Sequence, residues 1–382
     1  VNGFAKGAAG VRPELAEGIV AALNDGVVPL VHSLGSVGVS DLGPMAELAE
    51  GLLEHGYFEL AENEGLALVN NNAFSTGWAA LGVRAAERFL EEAEAAAALD
   101  LEAFGANLNM VHPVVGEMRP YPGLVKSIAR QRCLLTGSSL FQPGIPRHLQ
   151  DPLTFRGIPQ INGAARDALS YVRHIVEIEL NSAQGNPAVV VAERRIVSIA
   201  NFEVAALAAA LDFARICLAP VVGSAAERSV KLLQGPHSGL PAGLAPEADT
   251  GEDALAEYAG ACQSIAAEAR TLARPVSYEL VSTTKADGIE DRTTMAPLAA
   301  RLLDEMVELS SRVVAIELLV AAQAVDLRRP ERLGEGTARV HAALRELLPF
   351  LGPGDVLAAD IEPLVEAVRA GHFFGVAQAR AQ

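Results

Sequence analysis

One apolar stripe constrains the fold of this chain more than any other feature of its sequence. Between Thr293 and Arg329, apolar side chains recur every three or four residues. The members of the stripe are Met295, Leu298, Leu302, Met306, Leu309, Val313, Ile316 and Val320. This spacing predicts a helix of about ten turns, on the order of 50 Å long. Pro330 marks its end. Helices of this length normally pack against equally long neighbours, so the stripe predicts a bundle.

Other segments have the same periodicity. The longer predicted helices are Ala164–Leu180, Phe202–Leu218, Asp253–Leu272 and Ala79–Ala98. The shorter ones are Arg12–Asn24, Pro44–His55, Ala338–Leu348 and Ile361–Ala370. Polar, Gly- and Pro-rich loops connect them, and no repeat or low-complexity linker divides the chain. We therefore expect a mainly α fold, with one helical body over residues 1–382. Residues 330–382 would form a small C-terminal helical part of that body.

Composition excludes several classes of function. The formal charge is −17 and the isoelectric point is near 4.9. Because an acidic surface repels phosphate backbones and no basic patch stands out, we expect no nucleic-acid partner. The three cysteines are far apart, which indicates a reducing compartment without a disulfide framework. The eight histidines lack metal-ligand spacing, so we expect no metal. We find no apolar run long enough for a membrane span and no signal peptide, and we expect a cytoplasmic protein.

The turn-rich segment Ser33–Leu48 has two interpretations. In the structural one, Asp41 caps the helix that follows and Pro44 occupies its first turn. In the functional one, Ser40 and exposed backbone amides present an electrophile or an oxyanion site at the positive end of that helix. Asn70-Asn71-Asn72, after an apolar run, is either a turn or a source of amides for a polar ligand.

Two further loops contain unusual charges. Arg156 lies among Leu153, Phe155 and Ile158, which favours partial burial and hence an anionic partner. That partner is either a carboxylate of the protein or the carboxylate of a substrate. The second loop carries Glu290 within a charge cluster, together with Lys285, Asp287, Asp291 and Arg292. These charges are either a solvated cluster that caps the long helix or, if Glu290 is buried with a raised pKa, the source of a catalytic acid or base.

Taken in order along the chain, several segments resemble the aromatic amino acid ammonia-lyase family, which includes histidine, phenylalanine and tyrosine ammonia-lyases and the related aminomutases. The segments are AKGAAGVRPEL, GSVGVSDLGPMAELA, EGLALVNNNAFSTGWAAL, QDPLTFRGIPQINGAARDAL, NSAQGNPAVV and IEDRTTMAP. The resemblance covers nearly the whole chain. It implies a long-helix bundle of the ammonia-lyase/fumarase type and a homotetramer whose active sites are assembled from several subunits. It also implies that Asn70, Gln150, Arg156, Phe202 and Glu290 match active-site residues of the family.

The resemblance assigns roles to these residues. Arg156 and Asn70 would hold the substrate carboxylate, Glu290 would lie near the amino group, and Phe202 would pack beside the cofactor. Leu153 stands where the family has a tyrosine, and Asn71-Asn72-Ala73 replaces Gly-Thr-Gln. The family segment that carries a catalytic tyrosine and a pocket histidine would precede Val1. Three alternatives are open: the segment is supplied by a separate N-terminal polypeptide, by residues that precede Val1, or by nothing.

The family makes its cofactor from its own backbone. An Ala-Ser-Gly triplet cyclises and loses water to give methylidene-imidazolone, and the glycine leaves its ring-closing nitrogen unobstructed. Here the stretch reads Gly38-Val39-Ser40-Asp41-Leu42, one residue shorter and without the glycine after Ser40. We therefore expect no cofactor. Ser40 and Asp41 would stand where the electrophile normally is, and Asp41 is a candidate general base.

Three hypotheses follow. The leading one is a family enzyme that acts without the self-made cofactor on an amino acid or an amino-acid-derived carboxylic acid. Its reaction would be elimination or addition, isomerisation or cyclisation by acid–base catalysis. The second is a true ammonia-lyase or aminomutase with an unusual cofactor loop. The third is a catalytically silent binding or partner subunit.

Overall fold

The computed structural model describes residues 1–247, 254–278, 288–352, 355 and 361–378. The expected residues Asp253, Lys285 and Asp287, and parts of the expected C-terminal segment, lie outside this range. Backbone contacts divide the chain into two compact units. Unit 1 comprises residues 1–83, 170–214 and 274–303, and unit 2 comprises residues 84–169, 215–273 and 304–382.

The chain is mainly helical, as predicted. In chain order the helices are α1 (Asn2–Ala5), α2 (Pro13–Asn24), α3 (Leu42–Glu54), α4 (Glu64–Val69), α5 (Ala73–Phe104), α6 (Pro113–Met118), α7 (Pro122–Leu134), α8 (Leu153–Arg156), α9 (Ile158–Leu180), α10 (Ala205–Leu233), α11 (Gly235–Ser238), α12 (Glu257–Thr271), α13 (Ala296–Arg328), α14 (Glu335–Leu347), α15 (Glu362–Ala370) and α16 (His372–Gln378). Single 3-10 turns occupy Leu108–Val111, Ser139–Phe141, Val191–Glu193 and Ala242–Leu244.

The longest helices agree with the apolar periodicity and mostly exceed it. The stripe becomes α13, which is 33 residues long and ends just before Arg329, as expected. α5 and α9 begin before their predicted starts. The predicted helix Phe202–Leu218 was too short, because α10 continues through Pro220 to Leu233. Proline removes one backbone donor, but the buried residues on both sides of Pro220 keep the helix in place.

Small local elements organise unit 1. Its core joins α2, α3 and α4 through Leu15, Ala49, Leu52, Phe58 and Leu68. A short antiparallel hairpin, which the sequence did not predict, pairs β1 (Ala188–Val190) with β2 (Arg195–Val197). The core supports the loops that precede α3 and follow α4, where the polar motifs lie.

Long helices organise unit 2. Here α5 is rich in alanine, and Ala95 to Ala98 are all fully buried, so small side chains allow neighbouring helices to approach closely. From Val313 to Val325, α13 is buried on all sides. Glu317, which interrupts its apolar sequence, is itself fully buried. A charge in such a place requires partners.

α10 is long and apolar enough to span a membrane, with a mean hydropathy of 1.8 over 18 residues. However, 56% of that window is buried within the protein. Core helices of soluble proteins have the same composition, so composition alone does not identify α10 as a membrane span.

Candidate active site

The loop before α3 is fixed on the segment that leads into α13. The Val37 carbonyl accepts hydrogen bonds from the Thr294 N–H at 3.2 Å and the Met295 N–H at 3.0 Å. The Gly38 carbonyl accepts from Thr294 Oγ1 at 2.7 Å. Gly38 has φ +77°, and a Cβ there would lie 2.9 Å from the Ala296 nitrogen. Only glycine fits this close approach, so the loop geometry is set by sequence.

Asp41 is fully buried, and its carboxylate serves the structure of the loop. Its Oδ1 accepts from Ser36 Oγ at 2.8 Å. Its Oδ2 accepts from both the N–H and the Oγ of Ser75, each at 2.8 Å. Burial raises the pKa of Asp41, and the three hydrogen bonds oppose that rise. Donors of the protein therefore occupy three of the roughly four acceptor positions of the carboxylate.

Two interpretations of Asp41 are wrong. It stands at the N-cap position of α3, but its side chain makes no capping bond there. It binds the first turn of α5 instead, since Ser75 is the third residue of that helix. A buried carboxylate held by three donors also cannot serve as a general base that faces a ligand.

Ser40 and Asn70, two of the candidate site residues, are in direct contact. Ser40 is nearly buried in a left-handed conformation with φ 49°, and its Oγ donates to Asn70 Oδ1. Asn70 Nδ2 in turn donates to the Asn186 carbonyl at 2.6 Å. The turn that contains Asn186 was uninformative in the sequence. Both ends of the Asn70 amide are thus engaged, and the amide orients the Ser40 hydroxyl.

Phe202 and Glu290 belong to segments that approach the same loop. Glu203 forms a β-bridge with Val39, so the half-buried Phe202 lies one residue from the loop contact. Glu203 also pairs with Arg292 at 3.0 Å. Glu290 is half-exposed, four residues before the Thr294 anchor. Glu290 is thus neither fully buried nor fully exposed, and both interpretations of its charge cluster stay predictions.

Gln150, Leu153 and Arg156 lie in unit 2, at or just before the one-turn helix α8. All three are exposed, and Leu153 is 70% exposed. The expected partial burial of Arg156 was wrong, because α8 buries its neighbour Phe155, which stacks on Phe104 with ring centroids 4.1 Å apart. The Arg156 N–H donates to the Pro152 carbonyl at 3.1 Å, but within the described parts of the chain its guanidinium makes no hydrogen bond or ion pair. Its guanidinium is available to an anion from outside.

A cavity of about 340 Å³ lies in unit 1, beside Asn70. Its apolar wall comes from α2, α3 and α4, and includes Ile19, Leu48 and Leu52. Its polar wall carries amides, among them Asn70, Gln184 and Asn186. The size suits a small ligand with an apolar part and a few hydrogen-bonding groups.

The comparisons with known proteins agree with this architecture. The family model for aromatic amino acid lyases matches residues 1–346. Histidine ammonia-lyase of Symbiobacterium thermophilum is 35% identical over 98% of this chain and 78% of its own length. Histidine ammonia-lyase of Anaeromyxobacter dehalogenans is also 35% identical, over 97% of this chain and 78% of its own.

This chain belongs to the aromatic amino acid lyase family. Two solved structures show the same fold in family enzymes. Ergothionase from Treponema denticola has a TM-score of 0.90 at 27% identity. The match covers 96% of this lyase-family chain and 78% of the ergothionase chain. Tyrosine aminomutase from Streptomyces globisporus has a TM-score of 0.89 at 31% identity. The match covers 98% of this chain and 78% of the aminomutase. The chain is thus a member of a family of lyases, with the helical fold that its sequence predicts.

The loop of this lyase-family protein does not fit methylidene-imidazolone. The backbone nitrogen after Ser40 belongs to Asp41, which carries a side chain. That nitrogen donates to the Asn71 carbonyl at 2.8 Å, and the Asp41 carboxylate is held by Ser36 and Ser75. Ring closure onto Val39 would require breaking this backbone contact and moving a buried carboxylate. Among the described residues, no cluster of three or more His, Cys, Asp and Glu side chains could hold a metal.

Proposed function

We propose that this protein is an ammonia-lyase-family enzyme that acts without the methylidene-imidazolone cofactor. Its substrate would be an amino acid or an amino-acid-derived carboxylic acid. The reaction would be elimination or addition, isomerisation or cyclisation by acid–base catalysis. The observation that carries the proposal is the Asp41 arrangement, in which the nitrogen and the carboxylate are both committed to the protein.

The names of the relatives support the substrate class. Those relatives are named for histidine, ergothioneine and tyrosine, which are amino acids or close derivatives. All of these molecules carry a carboxylate. The exposed Arg156 offers the planar fork that binds a carboxylate through two hydrogen bonds. The same family membership underlies our proposals that residues 1–382 form one functional body, that it assembles as a homotetramer and that it works in the cytoplasm.

The residues suggest a division of labour. Removal of a proton from the carbon beside a carboxylate pushes negative charge into that carboxylate, and Arg156 would stabilise the charge as it develops. Glu290 is a partly exposed carboxylate on the segment docked against the Ser40 loop, and we propose that it takes or returns the proton. The Ser40 hydroxyl, whose proton is donated to Asn70, would accept a hydrogen bond from the substrate.

The cofactor part of the proposal is tested by intact mass and by a near-ultraviolet difference spectrum of the purified protein. We expect the unmodified mass and no added absorbance band. Loss of two waters, mapped by peptide mass spectrometry to Val39–Asp41, would overturn the proposal. The protein would then be a true ammonia-lyase or aminomutase with an unusual loop.

The catalytic part is tested with a panel of aromatic amino acids and their unsaturated acids, monitored by absorbance, ammonia release and proton NMR. We expect Arg156→Ala and Glu290→Gln to lower kcat/KM by about 10²-fold or more. Arg119→Ala is the matched control, because it removes another exposed arginine of unit 2. If neither variant changes any response to a ligand, the proposed site is wrong and a silent binding subunit becomes the better interpretation.

A further inference from the structure

Unit 2 contains a buried charge cluster that the proposed chemistry does not use. Arg228 on α10 is 2% exposed, and Asp100 on α5 and Glu317 on α13 are fully buried. Arg228 Nε donates to Asp100 Oδ2 at 2.8 Å and to Glu317 Oε1 at 2.9 Å. Its Nη2 also donates to Glu317 Oε1. One guanidinium thus links three of the longest helices.

The remaining arm of Arg228 reaches α8. Its Nη1 donates to the carbonyl of Thr154 at 3.1 Å. Thr154 is the second residue of α8, and Arg156 is the last residue of the same turn. The network from α5, α10 and α13 therefore ends on the backbone of the helix that carries Arg156.

α8 depends on such contacts for its position. A single turn has no stability of its own in water, because helix nucleation is unfavourable. Contacts with other described residues of unit 2 also hold this turn. Phe155 stacks on Phe104, and the Asp151 carboxylate, just before the helix, accepts from the Asn107 N–H at 2.7 Å. The hydrogen bond from Arg228 joins the turn to the buried cluster of Arg228, Asp100 and Glu317.

The charges of the cluster balance if it holds one proton. Two carboxylates and one guanidinium sum to −1. Among the described residues, no donor reaches Asp100 Oδ1 or Glu317 Oε2, although both oxygens are buried. Burial, followed by the neighbouring Glu317, raises the pKa of Asp100 well above its ordinary value. One proton held by the two carboxyls would leave a neutral cluster around the guanidinium fork.

We propose that Arg228 is a positioning residue that holds α8, and through it Arg156, for carboxylate binding. The functional half of this inference rests on the proposed role of Arg156. Lysine can replace the charge of Arg228 but cannot also reach a second acceptor in a fixed fork. Arg228→Lys therefore keeps the positive charge in the core but removes the hydrogen bond to the Thr154 carbonyl.

The experiment combines hydrogen exchange with ligand titration on the full chain. In Arg228→Lys we expect amide exchange in peptides covering residues 151–157 to rise about tenfold, with exchange in α13 unchanged. The triple variant Arg228→Met/Asp100→Asn/Glu317→Gln removes all charge and serves if the lysine variant does not fold. Arg215→Lys is the matched control, because Arg215 is a second fully buried arginine on α10 whose guanidinium donates to the Leu272 carbonyl.

The titration uses 3-phenylpropenoate and 3-(imidazolyl)propenoate, the acids left when phenylalanine and histidine lose ammonia. We expect Arg228→Lys to weaken Kd about tenfold, in the same direction as Arg156→Ala, while Arg215→Lys binds like the wild type. Unchanged exchange at 151–157 in both Arg228 variants would overturn the positioning role. Increased exchange at 151–157 would support the anchoring of α8 by Arg228. If the wild type then binds neither acid, or if Arg156→Ala binds them as well as the wild type does, the proposed function of Arg156 is overturned.

Discussion

The polar loop of unit 1 and the charged core of unit 2 bury polar groups in different ways. In unit 1, Ser40, Asp41 and Asn70 bond to hydroxyls, amides and backbone groups. In unit 2, buried acids of α5 and α13 face arginines from distant parts of the chain. The pairs Glu94–Arg166, Arg228–Glu317 and Asp100–Arg228 are separated by 72, 89 and 128 residues.

The difference follows from what each region does. Backbone and hydroxyl donors are fixed by the fold, so the Asp41 carboxylate holds the Ser40 loop in one geometry without an ion pair. Ion pairs between long helices tie together segments that are far apart in sequence. Such pairs are expensive to break, because removing one partner leaves a charge uncompensated in the interior.

The largest expected effect is in unit 2. Arg228→Met leaves Asp100 and Glu317 buried without a cation, and we expect it to lower the free energy of unfolding by about 3–5 kcal/mol. Adding Asp100→Asn and Glu317→Gln to that variant should restore most of the loss. Urea unfolding followed by far-ultraviolet circular dichroism measures both. A loss below about 1 kcal/mol in the single variant would show that the core does not depend on its ion pairs.

The matching change in unit 1 should have a smaller effect. Asp41→Ala removes the acceptor for Ser36 and Ser75 and leaves a buried backbone N–H without a partner, so we expect a loss of about 2–3 kcal/mol. Asp41→Asn keeps one acceptor oxygen, and we expect a loss of about 1 kcal/mol. Urea unfolding compares the two. If both variants lose equally, the Ser75 contact is not what makes Asp41 important.

The sequence predicts those features of the molecule whose signal is local, such as the long helices and the family motifs. The apolar spacing in Thr293–Arg329 predicts α13 to within a few residues, because helical periodicity is carried by neighbours along the chain. The order of the motifs also predicts the family.

Partners from distant segments could not be predicted. Asp41 looks like the cap of the helix that it precedes, yet the hydrogen bonds go to Ser75, 34 residues later. Glu317 looks like a break in an apolar helix, and nothing near it indicates Arg228. Arg156 was expected to be partly buried because its neighbours are apolar. The turn buries Phe155 instead, and that choice depends on Phe104 in another helix.

Two carboxylates, one in each unit, should make stability respond to pH in opposite directions. Glu64 of unit 1 accepts from Arg12 and Ala61, and these bonds, the Arg12 side chain first, lower its pKa from 4.5 to about 2. Its stabilisation is complete above pH 4.5 and is lost as pH falls toward 2. Burial raises the pKa of Glu92 of unit 2 from 4.5 to about 8. The folded state then keeps a proton that the unfolded chain releases, so this stabilisation is complete below pH 4.5 and is lost as pH rises to 8.

The variants Glu64→Gln and Glu92→Gln each remove one of these two pH dependences of stability. We expect Glu64→Gln to be less stable than the wild type at pH 7 and to lose less stability on acidification. We expect Glu92→Gln to equal or exceed the wild type at pH 8.5, because the amide carries no charge to desolvate and can still accept from the Phe374 N–H. Midpoints of thermal unfolding between pH 3 and 9 measure both. Parallel curves for the wild type and Glu92→Gln would mean that Glu92 does not hold its proton.

The smallest effect concerns the thiols of unit 2, and it tests how tightly the charged core is closed. Cys262 is fully buried, and burial followed by the charge of Glu317 raises its pKa to about 12. Cys133 is exposed. Because the thiolate is the reactive form, we expect a maleimide at pH 7.5 to label Cys133 first and Cys262 only when the surrounding helices open. In a Cys133→Ser background, the Arg228→Lys change should leave the rate at Cys262 nearly unaltered, whereas Arg228→Met should raise it. Labelling of Cys262 at the rate of Cys133 would show that the core around the cluster opens readily, and the contrast with the loop of unit 1 would then fail.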